Sequence, residues 1–160
     1  MNDAIREKIS ARFSAFVDSI NEYRGELTVV LKKNGLVDIC RFLRDDPDLA
    51  FDSLRDICGA DYARPVDRFE VVYNLYSLKL KFRLRLKVRV DDTDLHVPTV
   101  TNVWAAADWN ERETYDMFGI IFDGHPDLRR IYLPEEFEYY PLRKDFPLMG
   151  IPGSLPLPRK

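Results

Sequence analysis

The chain has 160 residues, room for one domain of ordinary size. Its 46% hydrophobic and 32% charged residues are the mixture of a globular fold and exclude a globally disordered chain. With 24 basic and 27 acidic residues the formal charge is −3, too balanced for a protein that lives as a whole on nucleic-acid phosphates.

No run approaches the ~18–20 apolar residues of a membrane helix. The polar start Met1-Asn2-Asp3-Ala4 is expected to carry no signal peptide, which points to a cytoplasm-like compartment. Two cysteines, Cys40 and Cys58, form no CxxC or comparable cluster, so iron–sulfur ligation by this chain alone is excluded. A disulfide between them is disfavoured in a reducing compartment. Two histidines, His96 and His125, are too few for an ordinary zinc site.

In chain order, Ala4–Ile20 reads as one amphipathic helix: Ile5, Ile9, Phe13, Phe16, Val17 and Ile20 recur at helical spacing after Asp3 as N-cap. Leu27–Leu31 is a short β-like run broken by Lys32-Lys33-Asn34-Gly35. Leu36–Leu43 fits a second helix, Leu49–Phe51 a brief strand, and Ser53–Cys58 a turn or short helix.

The clearest strand signal follows. Phe69, Val71, Tyr73 and Leu75 alternate with their neighbours, and from Lys79 to Val90 the alternation is nearly complete. Lys79, Lys81, Arg83, Arg85, Lys87 and Arg89 take one face; Leu80, Phe82, Leu84, Leu86, Val88 and Val90 take the other. The pair reads as a hairpin turning near Ser77–Lys79. A further helix is expected from Val97 to Phe118, with Gly119 just past its end.

After Ile120-Ile121-Phe122 regular patterning fades, and seven of the ten prolines fall in residues 126–160. Such a segment resembles an extended strip lying along another surface. The expected organisation is therefore an α+β core domain over residues 1–122, a mixed or antiparallel sheet flanked by helices, and an extended C-terminal interface tail over 123–160.

Four groups of residues stand out. The six-cation strand places like charges ~7 Å apart; it reads as a solvated sheet face, a charge-blunted edge, or a docking face for an acidic partner. On the helix, Glu111 falls on the inward stripe Val100, Val103, Ala107, Thr114, Phe118, and so needs a hydrogen-bonded partner. Arg112 lies four positions from both Asp108 and Asp116, favourable helical pairs. Glu111 and Glu113 diverge on a helix and cannot share a substrate. In Asp123-Gly124-His125-Pro126-Asp127, Gly124 and Pro126 set a turn and His125 donates to a carbonyl or carboxylate. Arg129 and Arg130 are then free to pair with the acidic helix or with Glu135, Glu136 and Glu138. Finally, Tyr139 to Leu148 mixes aromatics, prolines and arginine as buried interfaces do.

From Trp109 onward the residues are similar to one family. Glu111-Arg112-Glu113, Tyr115-Asp116-Met117-Phe118-Gly119-Ile120, Gly124-His125-Pro126, Arg129-Arg130 and Pro141-Leu142-Arg143-Lys144-Asp145-Phe146-Pro147 resemble the signature of the C-type, thirty-kilodalton (30 kDa) subunit family of proton-pumping NADH:quinone oxidoreductase, respiratory complex I. The resemblance implies a peripheral-arm subunit packed beside the large D-type subunit and near the B-type one, at the quinone-reducing end. It implies no cofactor on this chain, with FMN and iron–sulfur clusters on partner subunits. It implies a peripheral position at the cytoplasmic face of the inner membrane, and signature residues that join helix to tail by charge pairs and form a docking strip at Pro141 to Pro147. No fused D-type subunit is expected after the signature. Replacing Arg143 and Asp145 by alanine is expected to lower assembled complex without unfolding the free domain. Three other readings remain: a homologous subunit of a membrane-bound hydrogenase or of a ferredoxin- or deazaflavin-fed reductase, a nucleic-acid-binding module using the basic strand, and a stand-alone enzyme using Glu111 or His125.

Overall fold

The computed structural model describes residues 2–147 and Gly150; Met1 and residues 148–149 and 151–160, among them Pro152, Pro156 and Pro158, lie outside the described residues. Helix α1 (Asn2–Phe13) leads into strands β1 (Val17–Tyr23) and β2 (Glu26–Leu31). Helix α2 (Leu36–Asp45) is followed by β3 (Ser53–Asp61), β4 (Phe69–Ser77) and β5 (Phe82–Val90). The short β6 (His96–Pro98), α3 (Ala107–Phe118) and β7 (Ile121–Asp123) complete the elements.

Strands β1 to β5 form a mixed sheet in the order β1-β2-β5-β4-β3, parallel only between β2 and β5. Register follows from the alternation. Leu27, Leu84, Leu75 and Leu54 lie side by side across four strands; so do Val29, Leu86, Tyr73 and Ile57. All eight are buried. Ile5, Ile9 and Phe13 of α1 and Leu36, Ile39 and Leu43 of α2 join the same cluster. Each such side chain contributes ~1.5–3 kcal/mol when fully buried, so this face holds the domain together. The opposite face carries no helix among the described residues and presents the β5 cations.

Several expectations need correction. The helix expected over Ala4–Ile20 stops at Phe13, and Val17–Tyr23 is instead an edge strand. Arg24 and Gly25 both have positive φ, 52° and 80°, the geometry of a two-residue hairpin turn that joins β1 to β2. Ser53–Cys58 is strand, its alternation shifted by an irregularity between Leu54 and Asp56. Leu49–Phe51 is turn and coil rather than strand. The third helix begins at Ala107, not Val97. Its expected first turn is committed elsewhere: Pro98 pairs with Asp123, the Thr99 N–H donates to the Asp123 carbonyl, and the Val100 N–H donates to Glu111. Lys79 and Lys81 belong to the β4–β5 turn, not to the strand.

Candidate functional site

The signature residues gather where α3 meets the segment 123–147, which lies as a strap along this chain's own domain. Three buried carboxylates fasten this junction, Glu111 through residues 99–100 and Asp116 and Asp61 directly on the strap.

Glu111 is fully buried. Thr99 Oγ1 donates to its Oε2, and the Val100 N–H donates to Oε1 at 2.8 Å. Burial pushes its pKa up to about 7, against the pull of those two hydrogen bonds, and nearby Asp108 adds to the rise. Beside it, the side chain of His125 is buried too. Its Nδ1 accepts the Asp127 N–H at 3.0 Å, which assigns the proton to Nε2. Nε2–H then donates to the Asp108 carbonyl at 3.2 Å, as the sequence predicts, with Glu111 Oε2 4.0 Å away.

Asp116 is the second fastener. It is fully buried. Its Oδ1 takes Arg130 at 2.8 Å, and its Oδ2 accepts the N–H groups of Ile131, Tyr132 and Leu133 at 3.0, 2.7 and 3.2 Å. Burial alone would raise its pKa; the three amides and the guanidinium outweigh it and hold the carboxyl below the usual range. Arg130 is therefore joined to the acidic helix, one of the two partners expected for it. The other expected pair fails. Arg112 does not bridge Asp108 and Asp116. It donates to the carbonyls of Arg129 and Arg130 at 3.2 and 3.5 Å and stacks on Trp109, because Asp116 is already saturated. Arg129 pairs with its neighbour Asp127 at 2.8 Å, and Pro126 is exposed in the same turn. Glu113 is exposed and makes no ion pair among the described residues.

The third fastener, Asp61, escaped sequence reasoning. It ends β3 with its side chain fully buried. It accepts Arg68 at 2.8 Å, the Ala63 N–H at 2.7 Å and the Lys144 N–H at 2.7 Å. Burial works against ionisation, but Arg68 and the two amides win and bring its pKa down to about 2. Arg68 in turn reaches Asp92 at 3.1 Å and Asp145 at 3.0 Å. Beyond the local bond from Ala63, its partners Arg68 and Lys144 lie 7 and 83 positions away, the latter reached only through the fold.

Around Gly119 the strap closes. Gly119 ends α3 with φ 75° and donates its N–H to Tyr115 at 2.8 Å, the expected left-handed cap. Arg143 donates Nε–H to the Phe118 carbonyl at 2.6 Å and lies against the rings of Phe69 and Tyr140. The Leu142 N–H reaches the Met117 carbonyl at 3.2 Å, and the Leu142 side chain is exposed. Phe146 packs edge-on to Tyr139; Pro141 is half-buried, and Lys144, Asp145 and Pro147 are exposed. Arg143 is thus engaged inside the chain.

Chemically, each inward carboxylate here is saturated by amides, a hydroxyl or guanidinium. Such groups fasten; they are not presented to a substrate. Among the described residues no group of three or more His, Cys, Asp or Glu side chains is placed to hold a metal ion, and no helix is long and apolar enough to cross a membrane. The two cysteines are apart in character, Cys40 buried and Cys58 exposed.

The class is that of an α+β domain whose inward charges clasp its own strap and whose sheet carries no helix on one face among the described residues. Likeness to known proteins gives the family. The model described as "Respiratory-chain NADH dehydrogenase, 30 Kd subunit" matches residues 29–152, and the chain belongs to that family. It is 50% identical to the second C-type subunit of NADH-quinone oxidoreductase of Rhizobium meliloti over 92% of this chain and 80% of that protein. It is 46% identical to the C-type subunit of NADH-quinone oxidoreductase of Geobacter metallireducens over 93% of this chain and 91% of that one. Among solved structures, a trypsin-resistant fragment of Nqo5 matches with TM-score 0.65 and 37% identity, over 80% of this chain and all of the fragment. A chain of an archaeal membrane-bound sulfane sulfur reductase shares the fold, with TM-score 0.78 at 23% identity, over 92% of this chain and 86% of that one.

Proposed function

We propose that this chain works as the C-type, peripheral-arm subunit of an NADH-quinone oxidoreductase of the complex I type. The observation that carries this is the family match over residues 29–152, supported by relatives at 46–50% identity that bear that subunit's name. The chain contributes to an oxidoreductase as a scaffold: a rigid domain, residues 1–122, and an interface extension, residues 123–160. It packs against the large, quinone-site D-type subunit and against the B-type one, and its strap keeps the shape of that contact. NADH oxidation and electron transfer use FMN and iron–sulfur clusters held by partner subunits. The chain reaches the cytoplasmic face of the inner membrane only through the complex.

An affinity-tag pull-down from mildly solubilised native membranes tests this. Recovery of an iron–sulfur small subunit, a large subunit lacking nickel-ligating cysteines and flavin-bearing input subunits is the expected result. A large subunit that keeps those cysteines would instead make the chain part of a membrane-bound hydrogenase. Recovery of the chain alone would overturn the scaffold reading.

A further inference from the structure

The uncovered sheet face holds a feature that the scaffold reading does not use. Glu26, Arg55, Asn74, Arg83 and Arg85 line a cleft there, above the register row of Leu27, Leu75 and Leu84. Arg85 is answered: Glu26 lies at 3.0 Å and Asn74 at 3.4 Å. Arg83 and Arg55 are not. Both are exposed, and among the described residues neither makes an ion pair; Arg55 only lies over the Tyr76 ring, 5.2 Å from its centroid. Further along β5, Lys87 and Arg89 share one buried carboxylate, Glu70, at 2.9 and 4.0 Å, and Arg64 crowds the same group at 3.5 Å. The face is therefore positive on a chain whose formal charge is −3. Cations outnumber carboxylates on it.

We propose that the Arg55–Arg83–Arg85 cleft is the seat of an acidic segment of a neighbouring subunit, an inference that rests on the chain being part of a larger complex. Three features favour that occupant. A guanidinium offers a planar fork that fits a carboxylate with two parallel hydrogen bonds. Arg55 and Arg83 have their forks free to do so, while Glu26 and Asn74 hold Arg85 in place between them. The remainder of the molecule is net acidic, which opposes a long polyanion such as nucleic acid but not one acidic loop or strand.

The test uses the whole complex. Arg83 is replaced by the photo-reactive residue p-benzoylphenylalanine, the solubilised complex is irradiated, and the adduct is mapped by mass. The expected result is one adduct, to another subunit, at a peptide bearing Asp or Glu beside the attachment point. A second variant carries Arg55→Glu with Arg83→Glu. Because neither arginine pairs within the chain, its melting temperature as a free chain stays that of the wild type, while its retention in the complex falls about tenfold or more, as like-charge juxtaposition requires. The seat is overturned if the chain co-purifies with its complex but gives no adduct, if the adduct lies on a neutral or basic segment or on nucleic acid, or if the charge-reversed chain is retained like the wild type. Recovery of the chain free of any complex overturns the scaffold reading and the seat together.

Discussion

Asp116 receives the backbone N–H of Tyr132 at 2.7 Å, and with it those of the residues on either side. One side chain on a helix thereby does for the strap what a partner strand does in a sheet. Asp116→Asn keeps one oxygen for the three amides on Oδ2 but turns an NH2 donor towards Arg130, which loses both the charge and the acceptor it faced. The expected cost is on the order of 3 kcal/mol, the cost of breaking a buried pair by deleting one partner. Denaturant unfolding of the free chain measures it, and trypsin should cut after Arg129 and Arg130 much sooner than in the wild type. Unchanged stability would mean that the strap is held from elsewhere.

Glu111 gives a pH dependence of one sign. Its pKa in the fold, about 7, lies above the ordinary carboxylate value. The folded state therefore holds the proton more tightly than the unfolded chain does. Stability from this group is fully present below about pH 4.5 and is lost as pH rises towards 7, on the order of 3 kcal/mol in all. Glu111→Gln keeps an acceptor for the Val100 N–H without the charge. It should remove that downward slope and equal or exceed the wild type at pH 8. A variant with the wild-type slope would locate the titration in another group.

Asp61 works in the opposite direction. Held at about 2 in the fold, it stabilises the chain above its unfolded pKa and loses that contribution, about 2 kcal/mol, as pH falls from roughly 4 to 2. Asp61→Asn should flatten this acid limb in thermal melts and free the Lys144 end of the strap at every pH. An acid limb that survives the substitution would assign it to other carboxylates.

Much of this was readable from residues. The alternation of 69–90 gave a hairpin whose faces are correctly divided from Phe82 onward, with Lys79, Leu80 and Lys81 in its turn, and the helical stripe ending at Phe118-Gly119 placed Glu111 inward with a need for partners. The misreadings have one physical root: apolar spacing is shared by elements of different period. Phe16, Val17 and Ile20 continue the stripe of α1, although they stand in a turn and an edge strand; the Arg24-Gly25 turn was the signal for a hairpin there. Val97, Val100 and Val103 likewise prolong the stripe of α3 while their backbone serves β6 and Glu111. The strap's fasteners were half legible. Asp116 and Arg130 lie within the signature, but Asp61 meets Lys144 only through the fold.

Gly119 allows the strap's docking to be separated from its charge. A Cβ built there would lie 2.6 Å from the Tyr140 ring and 2.8 Å from the Arg143 guanidinium, and φ is positive. Gly119→Ala should cost about 1–2 kcal/mol from the backbone alone, with more from displacing Tyr140. Arg143→Ala, which loses the bond to the Phe118 carbonyl, should also destabilise the free domain, by about 1–3 kcal/mol. If unfolding curves of the free domain leave Arg143→Ala at wild-type stability while assembly fails, Arg143 serves the partner instead.

The sheet order has a consequence for synthesis on the ribosome. Strand β5 stands at the centre, between β2 and β4, yet it is the last of the five to be made. Until residue 90 has emerged, β2 and β4 each expose an unpaired edge and an apolar face, and no local hairpin can satisfy both. Nascent chains stalled before that point should be the ones that aggregate or recruit chaperones, and chains stalled just beyond it should not.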